Sequence, residues 1–225
     1  MSSLKIAWTV FLKDLRVEWR NRETLSSMCV FSLLVVFLFN FAFQTAREES
    51  LRLLPALIWV VFAFAGVLGF NRSFASEREN ACLEGMMLAP IDPSAIFLGK
   101  MLANLLFLAV AETVVVFVVS LWYNFSFLPS LGRLVMILFF GSLGYAALGT
   151  LFGAVAANTR MREVMLPVLQ FPVAFWILIL AIDATSDAIR PEMAGDPSAG
   201  MWRVAGVSAV FTVVSYLLFE YVLEE

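Results

Sequence analysis

The stretch SERENACLEGMMLAPIDPSAIFLGK, Ser76–Lys100, lies between two long apolar runs, and its reading decides how the rest of the chain is organised. Ser76 and Glu79 have the spacing of a capping box, in which the hydroxyl accepts from the backbone N–H three residues on and the carboxylate reaches back. Glu77 and Glu79 also suit the positive end of a helix dipole. Leu83, Met86 and Met87 follow as an i, i+3, i+4 stripe with Cys82 at its edge. Ala89-Pro90 disfavours further α conformation, and Asp92-Pro93 supplies an N-cap with proline at the first helical position. The spacing predicts a short capped helix, a proline break and a second helix start leading through Gly99 and Lys100. A few polar residues would suffice to join two spans. The amphipathic stripe therefore needs a surface, either the ends of its own spans or a soluble partner gripping an adaptable methionine-bearing face.

Composition places the flanking runs in a membrane. Of 225 residues, 61% are hydrophobic and 15% charged, with mean hydropathy +0.89, whereas a soluble domain is roughly half apolar and a quarter charged. Six runs are long enough to cross roughly 30 Å of hydrocarbon: Ser26–Phe43, Leu53–Phe70, Met101–Tyr123, Leu134–Ala157, Val164–Ile182 and Val204–Val222. Asn158–Glu163 alone separates the fourth and fifth, which suits a tight helical hairpin. The expected fold is an all-α membrane protein with six transmembrane helices, forming a single permease domain over residues 1–225.

Lys and Arg set the orientation. The N-terminal segment, the Ser76 region and the fourth connection together hold ten of the 15 basic residues, among them Lys13, Arg72 and Arg160. The opposite side holds five: Arg47, Arg52, Arg133, Arg190 and Arg203. The N-terminus, the C-terminus and the Ser76 loop are thus expected in the cytoplasm. Residues 1–24 do not read as a signal peptide, because charges run through them and the next apolar run is long enough to span. Leu4, Trp8, Phe11, Leu15 and Trp19 recur at helical spacing opposite Lys5, Lys13, Arg16 and Arg20, the pattern of an amphipathic helix lying in the interface over anionic lipid.

Much chemistry is excluded. There is no histidine, which removes the usual general base and the commonest metal or heme ligand. Cys29 and Cys82 form no CxxC or metal-ligand spacing, and no disulfide framework is in view. No GxxxxGK[ST] phosphate loop occurs, since Gly99-Lys100 lacks the upstream glycine and is followed by Met101. Any ATP driving this chain must be bound by another polypeptide.

The segment ERENACLEGMMLAPIDPSAIFLGK resembles the loop of ABC-2-type exporter permeases at Glu77, Glu79, Leu83, Glu84, Pro90, Gly99 and Lys100. More narrowly, the chain is similar over its length to the CcmB family of heme exporter B permeases. LLPALIWVVFAFAGVLGFNRSFASERE and the proline-bearing VMLPVLQFPVAFWILIL carry that likeness. At NACLEG the family more often has Gly-Thr or Gly-Ser, where Ala81-Cys82 keeps the residues small. The resemblance implies that residues 71–100 form a cytoplasmic coupling loop whose helix, bearing Met86 and Met87, docks in a cleft of an ATPase subunit. It also implies a non-enzymatic transport subunit of a bacterial-type inner membrane. Its partners would be an ATP-binding-cassette ATPase and a second membrane subunit, either another copy or the family's C subunit. No nucleic acid is expected. Heme enters only through this resemblance, as possible cargo, and its axial imidazole would come from a partner. A permease of the same class with a lipid, polysaccharide or drug as cargo, and an ion-coupled secondary transporter using Glu112, are the alternatives. The latter predicts inverted repeats, and none is found.

Two polar residues stand out within the spans. A lone carboxylate such as Glu112, near the middle of the third span, costs about 2.5–3.5 kcal/mol on insertion scales. It should face the protein interior, neutral or paired, either as a hydrogen-bonded structural acid or along a cargo path. Gln170 lies between Pro167 and Pro172, which free backbone carbonyls and predict a kink. Gly141, Gly149, Gly153 and Ala157 put small residues on one face of the fourth span, a close helix–helix contact expected within the subunit.

Overall fold

A computed structural model describes residues 3–42, 47–79, 92–157, 159, 161–190 and 196–224, without the side chains of 47–51, 75–79, 162, 197 and 223–224. Among the described residues every long element is a helix: α1 Ser3–Asn21, α2 Glu23–Ala42, α3 Arg47–Glu79, α4 Pro93–Trp122, α5 Leu131–Ala157, α6 Arg162–Ile189 and α7 Pro197–Glu224. Six of them, α2 to α7, are long and apolar enough to cross a membrane, which makes the chain a multi-pass membrane protein. All six expected spans are present.

Local chemistry explains three of the helix starts. Asp92 caps α4, its carboxylate accepting from the Ser94 N–H at 3.0 Å with Pro93 at the first position, as the sequence predicts. Asp196 does the same for α7, accepting from the Ser198 N–H at 2.9 Å and the Ser198 hydroxyl at 2.7 Å. These bonds hold its carboxyl below the usual aspartate range. Between α1 and α2 the backbone turns at Arg22, whose φ is 54°. Buried Glu18 reaches across that turn to accept from the N–H groups of Leu25 at 2.7 Å and Thr24 at 3.3 Å, supplying from α1 the cap that α2 lacks.

One expectation is overturned. No helix starts at Ser76, because α3 runs unbroken through Glu79 for 33 residues, roughly 50 Å. FNRSFASERE contains neither glycine nor proline. Extending an existing helix adds one hydrogen bond per residue fixed, whereas a new start must first be nucleated. Residues 80–91, which carry the stripe and the proline break, lie outside the described residues.

Packing puts α3 and α5 at the centre and leaves much of α2, α6 and α7 on the outside. The small-residue face of α5 receives the large aromatic side chains of α3: Gly141 faces Trp59, Gly149 faces Phe70 and Gly153 faces Phe74. The contact is within the subunit, as expected. A polar bond pins the same two helices, the Tyr145 hydroxyl donating to the Ala63 carbonyl at 2.6 Å, and the Trp59 indole N–H ties α3 to α6 by donating to Thr185 Oγ1 at 2.9 Å. A methyl group at position 149 would lie within the Phe70 ring, so Gly149→Ala should destabilise by about 1–3 kcal/mol through overpacking. Adding Phe70→Leu should recover most of that loss. A double-mutant cycle in detergent reads the coupling, and strictly additive effects would show that the two residues do not meet.

The amphipathic pattern of α1 is partly redistributed. Of the stripe expected to lie in the interface, Leu4, Trp8 and Trp19 are exposed, whereas Phe11 and Leu15 pack against the bundle. The face turned to the bundle also carries Ala7, Val10, Asp14 and Glu18. The reason is a backbone-level crossing, for a Cβ at Gly99 would stand 2.5 Å from the Ala7 carbonyl oxygen and 2.7 Å from Val10 Cβ. Only small residues admit that approach.

Candidate functional site

The two roots of the 80–91 segment are the end of α3 and the start of α4; they are bonded to each other, and α1 is bonded to the second. Lys100, fully buried on α4, places its ammonium 3.2 Å from Asp14 Oδ2 of α1 and 3.4 Å from Ser73 Oγ of α3. The same ammonium lies 4.8 Å from the centre of the Phe74 ring, a cation–π distance. Asp14 is shared with Lys13 at 3.1 Å. A further bond runs from the Ser3 hydroxyl to Asp92 Oδ2 at 3.4 Å. Arg72 and Glu23 meet at 3.3 Å with both side chains exposed, a pair of the kind that contributes little.

This junction was only partly readable. Lys100 is singled out in the sequence as one position of a loop motif, whereas Asp14 and Glu18 carry no signal in a helix read as a basic amphipath. The available clue was the step from Gly99 to a charged residue just ahead of an uninterrupted apolar run. A lysine there cannot face lipid and needs an acidic neighbour.

Glu77 and Glu79 fall in the last turn of α3, with side chains not described. Leu83, Glu84, Met86, Met87 and Pro90 lie outside the described residues, as does Cys82.

Glu112 is buried between α4 and α5. Its Oε1 is 2.6 Å from the Ser142 hydroxyl, which is also 2.6 Å from the Leu138 carbonyl one turn back. A hydroxyl has one hydrogen, so both contacts are satisfied together when Ser142 donates to the carbonyl and a neutral Glu112 carboxyl donates to Ser142. In that arrangement Oε2 is left as a bare carbonyl oxygen. Glu112 and Ser142 form the polar floor of a largely apolar groove of about 930 Å³ between α4 and α5. About two turns toward the loop, Asn104 donates to Thr150 Oγ1 at 3.0 Å, a second polar tie between the same helices.

Gln170 is completely buried on α6, which stays helical through Pro167 and Pro172. Neither its Nε2 nor its Oε1 has a hydrogen-bond partner among the described residues. Ser208 and Ser215, on the buried side of α7, are likewise unpartnered there. The structure does not bring Gln170 to Glu112. Among the described residues no cluster of three or more Cys, Asp or Glu side chains could hold a metal ion.

The sequence is similar to those of known proteins. The chain is 25% identical over 210 residues to heme exporter protein B of Pseudomonas aeruginosa PAO1, covering 92% of this chain and 91% of that protein. Against heme exporter protein B of Bradyrhizobium diazoefficiens it is 24% identical over 199 residues, 88% of this chain and 89% of that protein. With the Escherichia coli K12 protein of the same name the match is stronger but shorter, 29% identity over 97 residues. That alignment spans less than half of either chain, 43% of this one and 44% of the relative. The CcmB protein family model matches residues 5–221, which takes in all seven helices, and the chain belongs to the CcmB family.

Proposed function

We propose that this chain is the membrane permease subunit of an ABC-type exporter complex, working in heme delivery for c-type cytochrome biogenesis. The observation that carries the reading is the family match over residues 5–221 on a chain with six spans, among relatives named heme exporter protein B. The chain is a single transport domain that catalyses no reaction, and hydrolysis is supplied by a partner ATPase that binds ATP. The ATPase engages the cytoplasmic loop through Glu77, Glu79, Leu83, Glu84, Met86, Met87 and Pro90. Support for a docking role comes from the apolar stripe of Leu83, Met86 and Met87, and from the bonded roots on either side of it. Six spans are half of the usual transporter complement, so a second membrane subunit completes the pathway. The excess of Lys and Arg on the loop side supports cytoplasmic termini in a bacterial-type inner membrane. Glu112 and Gln170 are the intramembrane polar candidates for a role along a cargo path.

Co-purification tests the reading. Leu83→Asp puts a charge in the centre of the apolar stripe. It should abolish association with the ATPase while the chain still inserts and accumulates. Undiminished recovery of the ATPase with that variant would remove the docking role from this loop.

A further inference from the structure

We propose that the outward face of α1 is a binding surface for anionic phospholipid, with lipid phosphates held by Lys5, Arg16 and Arg20. Two contacts fix α1 at the level where spans begin. Its end turns through Arg22 alone into α2, a span that starts at Glu23. Its first half crosses α4 at Gly99, directly ahead of the apolar run that opens at Met101. A helix tied down at those two points runs along the membrane surface.

The structure sorts the side chains of α1 into three faces. Ala7, Val10, Asp14 and Glu18 meet the bundle. Leu4, Trp8, Leu12 and Trp19 form an exposed apolar flank, with Leu4 at 78% and Trp19 at 81%. Lys5, Arg16 and Arg20 fall within about 60° of one another at 3.6 residues per turn, opposite the bundle. All three are exposed, and none has an acidic partner among the described residues. The two acids of α1 are turned inward, Asp14 to Lys100 and Glu18 to the N–H groups of Leu25 and Thr24. The outward face is therefore positive only. A soluble acidic partner would match those cations but leave the leucine and tryptophan flank in water. The bilayer surface takes both. Tryptophan rings settle at headgroup level, and an anionic surface attracts each nearby Lys or Arg by roughly fivefold in affinity. Phosphate oxygens also accept the paired N–H donors of arginine. Lipid held there grips the far side of a helix whose near side carries the Lys100 bond and the Gly99 crossing, so it stabilises the folded chain. The inference needs only that the chain spans a membrane. It is independent of the cargo and of the ATPase.

The test titrates purified full-length chain in mild detergent with dioleoylphosphatidylglycerol or dioleoylphosphatidylcholine and reads the thermal unfolding midpoint. Phosphatidylglycerol should raise the midpoint at concentrations where phosphatidylcholine does not, and the rise should shrink in about 0.5 M salt. The triple variant Lys5→Gln, Arg16→Gln, Arg20→Gln should keep the wild-type midpoint in phosphatidylcholine, because all three side chains are exposed. Its half-maximal response should need about tenfold more phosphatidylglycerol, or beyond. Neutralising three cations elsewhere, with Arg52→Gln, Arg133→Gln and Arg203→Gln, should leave the response unchanged. An α1 triple variant that responds like wild type would overturn the proposal, and so would an equal loss from the control triple. A midpoint raised as far by inorganic phosphate alone would overturn it by revealing a site for the free anion. Loss of ATPase co-purification from the α1 triple variant, with its lipid response intact, would assign the face to that partner instead.

Discussion

Asp14→Ala is expected to destabilise the folded chain by about 3–5 kcal/mol, the cost typical of removing one partner from a buried ion pair. Lys100 is completely buried and its ammonium stands 3.2 Å from the Asp14 carboxylate. The Ser73 hydroxyl and the Phe74 ring also lie beside the ammonium, and neither carries a negative charge. Asp14→Asn keeps a hydrogen-bond acceptor and should lose less. The double variant Asp14→Leu with Lys100→Met removes both charges and should lie much nearer wild type, because apolar replacement of a whole buried pair is often neutral. Unfolding midpoints in a denaturing-detergent titration order the variants. If Asp14→Ala unfolds within about 1 kcal/mol of wild type, the pair is solvated and does not hold α1 to α4. The same series reports on the loop roots, since Ser73 and Lys100 sit at either side of residues 80–91.

The spans were legible in the sequence because the signal that identifies them is the force that places them. Runs such as Met101–Tyr123 are overwhelmingly apolar, and no other solvent suits them. The glycine face of α5 was legible for a related reason, since Gly141, Gly149 and Gly153 leave holes that something large must fill. What filled them was not legible. Trp59, Phe70 and Phe74 lie in a run with no distinguishing period. The supposed helix start at Ser76 shows the limit of local motifs: a capping box is a sufficient signal only where the preceding chain is not already helical, and α3 had no reason to stop. The junction at Lys100 was hidden because its partners, Asp14 and Ser73, are distant in sequence. Glu112 was legible as a buried acid, because charge in hydrocarbon is rare enough to be conspicuous. Its bond to Ser142 was not, since serine is common in spans and the pairing depends on the α4–α5 register.

Glu112→Lys should prevent accumulation of the folded subunit. Position 112 lies 10 residues before the end of α4, roughly 15 Å by helix rise, too far for a lysine stem to carry its ammonium to the interface. The groove around it is lined by apolar side chains and a few hydroxyls and amides, with no second acid among the described residues. An ammonium there has no countercharge. Insertion scales put lysine at the helix centre at about 2.5–3.5 kcal/mol, and the Ser142 bond is lost in addition. A penalty of about 3 kcal/mol corresponds to roughly 100-fold in a folding equilibrium, enough to send most of the chain to degradation. Glu112→Gln keeps a donor for Ser142 and a carbonyl oxygen, with one extra N–H, and should accumulate and function normally. Membrane-fraction immunoblots followed by size exclusion in mild detergent distinguish the two. Normal levels of a monodisperse Glu112→Lys protein would mean that the groove floor is hydrated. Normal levels of Glu112→Gln with lost cytochrome maturation would mean that the proton on Glu112 is exchanged during transport, and would revive ion coupling as the driving force.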